Sequence, residues 1–173
     1  MSRSSEPERR HAGSVLVVDD EGDVLAVSGR ALREEGFEVR TFNSAHPVLE
    51  ALQAAAGRVD AVISDIHMPD MTGLELLAAV RERWPTVVVL LMTGKADLDS
   101  AVQAIRLGAH DYLIKPVDPF DTLVPATRRA VEYRRLVERN RFLQRQLDAH
   151  ERFDQMVGSS RSMQRVHELV ASV

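Results

Sequence analysis

From Val15 onward the chain sets short, continuous apolar runs against longer amphipathic stretches, and that alternation leaves few architectures open to it. Val15 to Val18, Ala61 to Ile63, Val87 to Leu91 and Tyr112 to Ile114 read as strands buried on both faces. Phe37 to Phe42 supplies a weaker fifth strand, in which apolar and polar residues alternate. Between the strands four sets recur at helical spacing: Val24, Val27 and Ala31; Val48, Leu52 and Ala55; Leu74, Leu77 and Val80; Leu98, Val102 and Ile105. Each set predicts a helix that turns that stripe toward a sheet. Strand and helix alternating in this way predict an α/β fold, a five-stranded parallel sheet with right-handed crossovers and helices on both faces.

The fifth helix has a clear start, with Asp118 as N-cap and Pro119 at the first helical position, where its missing N–H costs nothing. Phe120, Leu123, Val124, Thr127 and Val131 are expected to pack on the sheet. The apolar pattern then continues through Tyr133, Leu136, Asn140, Leu143 and Leu147 at alternating spacings of three and four, which predicts a coiled-coil seam and a homodimer. An exposed single helix is the alternative. Asn140 at a seam position would fix register and strand number at some cost in stability. After Ala149 the helical pattern lapses, and Met163, Val166, Leu169 and Val170 begin another amphipathic helix. The expected division is a disordered tail over 1–13, a globular domain over 14–131, a linker helix over 132–150 and the start of a further domain over 151–173. The tail is assigned from its Ser, Glu and Arg content, which cannot bury enough surface to offset the entropy of ordering it.

Composition narrows the chemistry. Zero cysteines exclude disulfides and thiolate sites, and the six histidines never fall at a paired ligand spacing, so any metal is held by oxygen. No run of eighteen apolar residues and no secretory leader pattern occur, which predicts a cytoplasmic protein without a membrane partner. A formal charge of −4 argues against a broadly basic surface for nucleic acid, although eight arginines face four acidic residues between Arg128 and Arg152.

In an open parallel sheet, ligands bind at the carboxyl ends of the strands. The residues there form a chemical set: Asp19 and Asp20, with Glu21, after the first strand, Asp65 after the third, Thr93 after the fourth and Lys115 after the fifth. Carboxylates gathered at one edge repel one another unless a hard cation sits among them, and an oxygen-only site with open positions suits Mg²⁺, which keeps several waters. A carboxylate beside Mg²⁺ can act as a nucleophile toward phosphorus, with the metal and a lysine neutralising the phosphoryl oxygens and a hydroxyl donating to one of them. Singly, each residue has an ordinary reading as a cap, a turn or a solvated charge. The ordered combination is what carries information.

That combination resembles the receiver domain of two-component response regulators. The resemblance spans Val15 to about Val131 and rests on Val-Val-Asp-Asp-Glu at 17–21, Ser-Asp-Ile-His-Met-Pro-Asp-Met-Thr-Gly at 64–73, Met-Thr-Gly at 92–94 and Gly-Ala-His-Asp-Tyr-Leu-Ile-Lys-Pro at 108–116. It implies a flavodoxin-like strand order 2-1-3-4-5, the order the family shares with the chemotaxis receiver. It also implies Asp65 as phosphoacceptor, Mg²⁺ held by Asp19, Asp20, Asp65 and the backbone carbonyl of His67, and Thr93 and Lys115 on the phosphoryl group. A sensor histidine kinase is the implied donor, and the bond before Pro116 is commonly cis in the family. Tyr112 resembles the aromatic switch residue that moves inward with the threonine; a half-buried strand aromatic is the other reading. Pro69 and Gly73 read as the turn into the third helix rather than as contact residues. The His67 side chain reads as an ordinary loop residue, and Val117 stands where many relatives carry Phe.

Met92 to Gly94, Ala101 to Ile105 and Gly108-Ala109 further resemble the receivers of sigma-54-dependent transcriptional activators, and Met156 to Ser160 with Met163 to Val166 resemble the opening of their AAA+ domain. No Gly-x-x-x-x-Gly-Lys-Ser/Thr loop occurs, so this chain is not expected to hydrolyse ATP or to act as an enzyme beyond its own phosphorylation and dephosphorylation; AAA+ and DNA-binding domains are expected beyond Val173. Two rivals are weaker. A haloacid-dehalogenase-type phosphatase needs a general-acid aspartate two residues after the nucleophile, where His67 stands. An FMN carrier would meet Asp19, Asp20 and Glu21 where its phosphate needs donors. A stand-alone receiver serving as a phosphorelay or protein-binding module remains the alternative to the transcriptional reading.

Overall fold

The computed structural model describes residues 12–95 and 98–158. Its elements run β1 (Ser14–Val18), α1 (Gly22–Glu34), β2 (Glu38–Phe42), α2 (His46–Ala54), β3 (Ala61–Asp65), α3 (Gly73–Arg83), β4 (Val88–Thr93), α4 (Leu98–Leu107), β5 (Asp111–Ile114), a single π-helical turn (Pro119–Leu123) and α5 (Val124–Gly158). The five strands form one parallel sheet, as the alternation of the sequence implies, in the order β2-β1-β3-β4-β5 that the resemblance implies.

Successive strand residues point to opposite faces, and the core divides accordingly. Leu16, Val18, Val62, Val89 and Leu91 pack with α2, α3 and Ala104 of α4. Val15, Val17, Ile63, Val88, Leu90 and Met92 pack with Ala31 and Leu32 of α1 and with Leu123, Ala126, Ala130 and Val131 at the start of α5. The central strands β1, β3 and β4 are buried along almost their whole length, whereas β2, at the edge, alternates. That difference is why β2 is the weakest strand in the sequence.

The helix boundaries have local causes. Thr72 and Glu75 form a reciprocal capping box at the start of α3, with Glu75 N–H donating to Thr72 Oγ1 (3.2 Å) and Thr72 N–H to the Glu75 carboxylate (2.8 Å). α4 ends where Gly108 adopts φ +85°, letting the amides of Gly108 and Ala109 close onto Ile105 and Ala104 carbonyls. Asp118 caps as expected, accepting from the amides of Phe120 (2.9 Å) and Asp121 (2.7 Å), but the first turn after Pro119 is π-helical and leaves Phe120 53% exposed rather than packed on the sheet.

Other expectations are corrected. Leu98, Val102 and Ile105 face outward, at 79%, 38% and 72% exposure, and α4 meets the core through buried Ala104 with partly buried Leu107. A 3.6-residue period identifies a stripe without saying which neighbour receives it, and the four-residue edge strand β5 offers α4 little surface. Val27 is exposed for the same reason, since Ser28, Gly29, Ala31 and Leu32 form the buried side of α1. Ala12 and Gly13 belong to the fold rather than to a tail: Ala12 N–H donates to Gly36 O, and Gly13 O accepts from Glu38 N. The remainder of that tail, and the helix expected from Met163, lie outside the described residues.

The chain divides after Arg135 into two compact units. In the first, Arg134 is a buried arginine in a charged stretch. Its guanidinium donates to the carbonyls of Val59 and Gly57 and pairs with Asp60 (3.2 Å), whose other carboxylate oxygen accepts from Ser14 N (2.8 Å). In the second, beginning at Leu136, the helical stretch exposes Leu136, Phe142, Leu143 and Leu147, each by more than half, with Asn140 exposed beside them. The helix continues to Gly158, past Ala149, because nothing between them breaks it; loss of amphipathic pattern is not loss of helix propensity. Arg134→Ala should leave buried carbonyls and a carboxylate without their donor and cost about 2–3 kcal/mol, read as a lowered urea midpoint at unchanged slope.

Candidate functional site

At the carboxyl edge of the sheet, backbone hydrogen bonds extend the ladder past the strand ends: Asp19 N–H to Phe42 O, Ile66 N–H to Met92 O (2.9 Å) and Lys115 N–H to Thr93 O (2.7 Å). They hold Asp19, Asp65, Thr93 and Lys115 in one cluster. Asp19 and Thr93 are fully buried and Asp65 nearly so. The Lys115 ammonium lies 2.7 Å from Asp19 Oδ2, 2.9 Å from Asp65 Oδ1 and 3.1 Å from Glu21 Oε1. The Lys115–Pro116 bond is cis.

The charges are strongly biased. Burial alone would lower the pKa of Lys115, but its close pairing with the Asp19 and Asp65 carboxylates more than reverses this and holds it above the ordinary lysine range. Burial raises the Asp19 carboxyl above its ordinary range, against the opposing pull of Lys115 and the Glu21 amide. Asp19 Oδ2 accepts no well-directed hydrogen bond despite the nearby ammonium. A buried carboxylate oxygen with spare lone pairs beside a second carboxylate, all donors being oxygen, suits a hard divalent cation. Among the described residues no three His, Asp or Glu side chains converge tightly enough to hold a metal alone. Asp20 is exposed. The buried carboxylates that could hold such a cation are Asp19 and Asp65.

Gly73, read in the sequence as a turn residue, and the His67 side chain, read as an ordinary loop residue, are in contact with the site. Gly73 N–H donates to Ile66 O (2.9 Å), and a Cβ at position 73 would lie 2.2 Å from the Asp65 carbonyl oxygen, so only glycine lets α3 begin this close to the phosphoacceptor candidate. His67 donates its amide to Asp65 Oδ2 (2.7 Å) while its ring Nδ1 lies 3.4 Å from Thr93 Oγ1. Turn-forming residue types say nothing of a close approach, and a lone loop histidine carries no spacing signal. Tyr112 is half-buried on β5, and its hydroxyl shares a 2.9 Å hydrogen bond with Ser100 of α4. A cleft of about 480 Å³ opens beside Lys115 and Glu21, with Val24, Val27, Met92, Pro116 and Val117 among its lining.

Residues 15–127 match the family model for the response regulator receiver domain. The chain belongs to that family. As a receiver it is 40% identical over 161 residues to the DNA-binding transcriptional regulator NtrC of Proteus hauseri, covering 91% of this chain and 32% of the relative. It is 38% identical over 162 residues to the C4-dicarboxylate transport transcriptional regulatory protein DctD of Rhizobium meliloti, covering 94% and 35%. The chain thus spans about a third of the length of these relatives. Its fold superimposes on a response regulator receiver domain from Clostridium thermocellum with a TM-score of 0.68 at 34% identity, over 72% of this chain and 98% of that one. The receiver fold and strand order expected from the sequence are those observed.

Gly73→Ala tests the close approach, because the sign of its effect is diagnostic. An ordinary helical Gly→Ala change stabilises by roughly 0.5–1 kcal/mol. Here the added methyl should instead cost about 1–3 kcal/mol in chemical denaturation by forcing Asp65 from its place.

Proposed function

We propose that this receiver takes a phosphoryl group on Asp65 from the phosphohistidine of a sensor kinase and passes the change to a transcriptional output. The observation that carries the reading is the buried pair Asp19 and Asp65 on one ammonium, Lys115, at the carboxyl edge of the sheet, with Thr93 ending the adjacent strand. An Asp65 oxygen attacks phosphorus, the P–N bond of the donor breaks, and an acyl phosphate forms. Asp19, Asp20 and Asp65 with the His67 carbonyl would hold Mg²⁺, which supplies positive charge to the phosphoryl oxygens when bound. Lys115 exchanges part of its pairing with Asp65 for a phosphoryl oxygen, and Thr93 turns its hydroxyl proton toward another. The new group adds about two negative charges and draws Thr93 and Lys115 inward, favouring a repacking of α4, β5 and α5 with Tyr112 as the switch aromatic.

The rest of the reading rests on similarity and pattern. The relatives named as transcriptional regulators support an output through AAA+ and DNA-binding domains and sigma-54-dependent transcription. Domain limits of 14–131 for the receiver, 132–150 for the linker helix and 151–173 for the start of the AAA+ domain accompany that assignment. The exposed leucines of α5 support a coiled-coil homodimer. No helix among the described residues is long and apolar enough to cross a membrane, which accords with action in the cytoplasm. The chain acts on no diffusible substrate beyond the phosphoryl donor, and it contacts no nucleic acid itself.

Intact-mass measurement with acetyl phosphate should show a gain of one phosphoryl group only when Mg²⁺ is present, and none for Asp65→Asn. Wild-type protein that gains no mass from acetyl phosphate or from a phosphorylated kinase would sink the reading. The dimer has its own check: Leu143→Asp should convert a dimer to a monomer in sedimentation equilibrium, whereas a wild-type chain that is already monomeric rejects the seam.

A further inference from the structure

We infer that the His67 imidazole is a positioning residue that holds the Thr93 hydroxyl in a parked arrangement, and that its release is part of loading the site. This rests on the reading of Asp65 as phosphoacceptor and adds to it a built-in restraint on the switch threonine. A threonine hydroxyl has one proton to donate and two lone pairs to offer. Thr93 Oγ1 has three neighbours: the Lys95 carbonyl at 3.0 Å, the Lys95 amide at 3.2 Å and His67 Nδ1 at 3.4 Å. The amide can only donate, so it occupies one lone pair. The carbonyl can only accept, so it takes the proton. The contact with the ring must then use the second lone pair, which assigns the hydrogen of the imidazole to Nδ1. Each of the three positions of the hydroxyl is filled, and the residue is fully buried.

A phosphoryl oxygen is an acceptor and competes for that single proton. Turning the hydroxyl toward Asp65 breaks its bond to Lys95 O and moves its lone pairs away from the ring. His67 is also tied to the phosphoacceptor, since its amide donates to Asp65 Oδ2 at 2.7 Å. One residue thus touches the carboxylate to be modified through its backbone and the switch hydroxyl through its side chain. The ring is exposed and the contact is long, so the restraint is a weak one that a phosphoryl group can overcome.

The test uses beryllofluoride with Mg²⁺ as the phosphoryl mimic and calorimetry to measure its affinity. His67→Ala removes a bond made only in the parked state and should tighten binding roughly two- to fivefold, the worth of one weak hydrogen bond. His67→Asn, whose carboxamide can donate from the same direction, should restore the wild-type affinity. In a Thr93→Val background, where there is no hydroxyl to hold, His67→Ala should change nothing, because the two residues act through one contact. Unchanged or weaker binding by His67→Ala, failure of Asn to restore, or additive effects in the double variant overturn the inference while leaving Asp65 as acceptor. Failure of wild type to bind beryllofluoride with Mg²⁺ overturns the phosphoacceptor reading and this inference together.

Discussion

The ammonium of Lys115 between Asp19 and Asp65 is the interaction on which the site depends. Two carboxylates buried at one sheet edge need a cation between them, and the fold brings Lys115 there from β5 by the same ladder bond that joins its amide to Thr93. The balance is incomplete, because one cation faces Asp19, Asp65 and Glu21. The raised pKa of Asp19, caused first by burial, shows where the deficit falls. A carboxyl whose folded pKa lies above its unfolded value favours the native state most at low pH, and that contribution is lost as pH rises through the folded value. Burial therefore sets a cost on the ionised form of Asp19 that one ammonium does not fully offset.

Two aspartates at the ends of β3, Asp60 just before it and Asp65 closing it, have opposite fates. At its amino edge Asp60 is closed off, paired with Arg134 and accepting the Ser14 amide, with the carbonyls of Gly57 and Val59 capped by the same guanidinium. At its carboxyl end the Asp65 carboxylate has, among the described residues, Lys115 and the His67 amide. The fold concentrates satisfied groups at one edge and spare charge and lone pairs at the other, where parallel sheets bind their ligands.

This division also explains what was legible in the sequence. Strands buried on both faces must be continuous apolar runs, so β1, β3 and β4 and the residues at their ends, Asp19, Asp65 and Thr93, stand out from the text alone. Lys115 follows by the same logic at β5. Arg134 was hidden among arginines that read as a solvated face, although it continues the buried stripe of Thr127 and Val131 at spacings of four and three; the stripe, more than the residue type, was the signal. Gly73 and His67 carry no such mark, because a close approach and a single ring contact arise only when distant segments meet. The outward stripe of α4 was misread because periodicity is blind to how much sheet is available to cover a helix.

That exposed stripe bears on how a change at the site can spread. Among the described residues α4 has one fully buried side chain, Ala104; it also packs on α3, places Leu107 against the core and carries the hydrogen bond between Ser100 and Tyr112. α2 and α3 each bury several large side chains and have far more to lose on moving. A perturbation shifts a population by acting on the element whose alternative arrangement lies closest in free energy. Thr93 and Lys115 flank β5 at its junction with the site, and Tyr112 on that strand carries the bond to α4. Of α2, α3 and α4, α4 therefore has the least buried surface to hold it, and the Ser100–Tyr112 hydrogen bond is its link to β5.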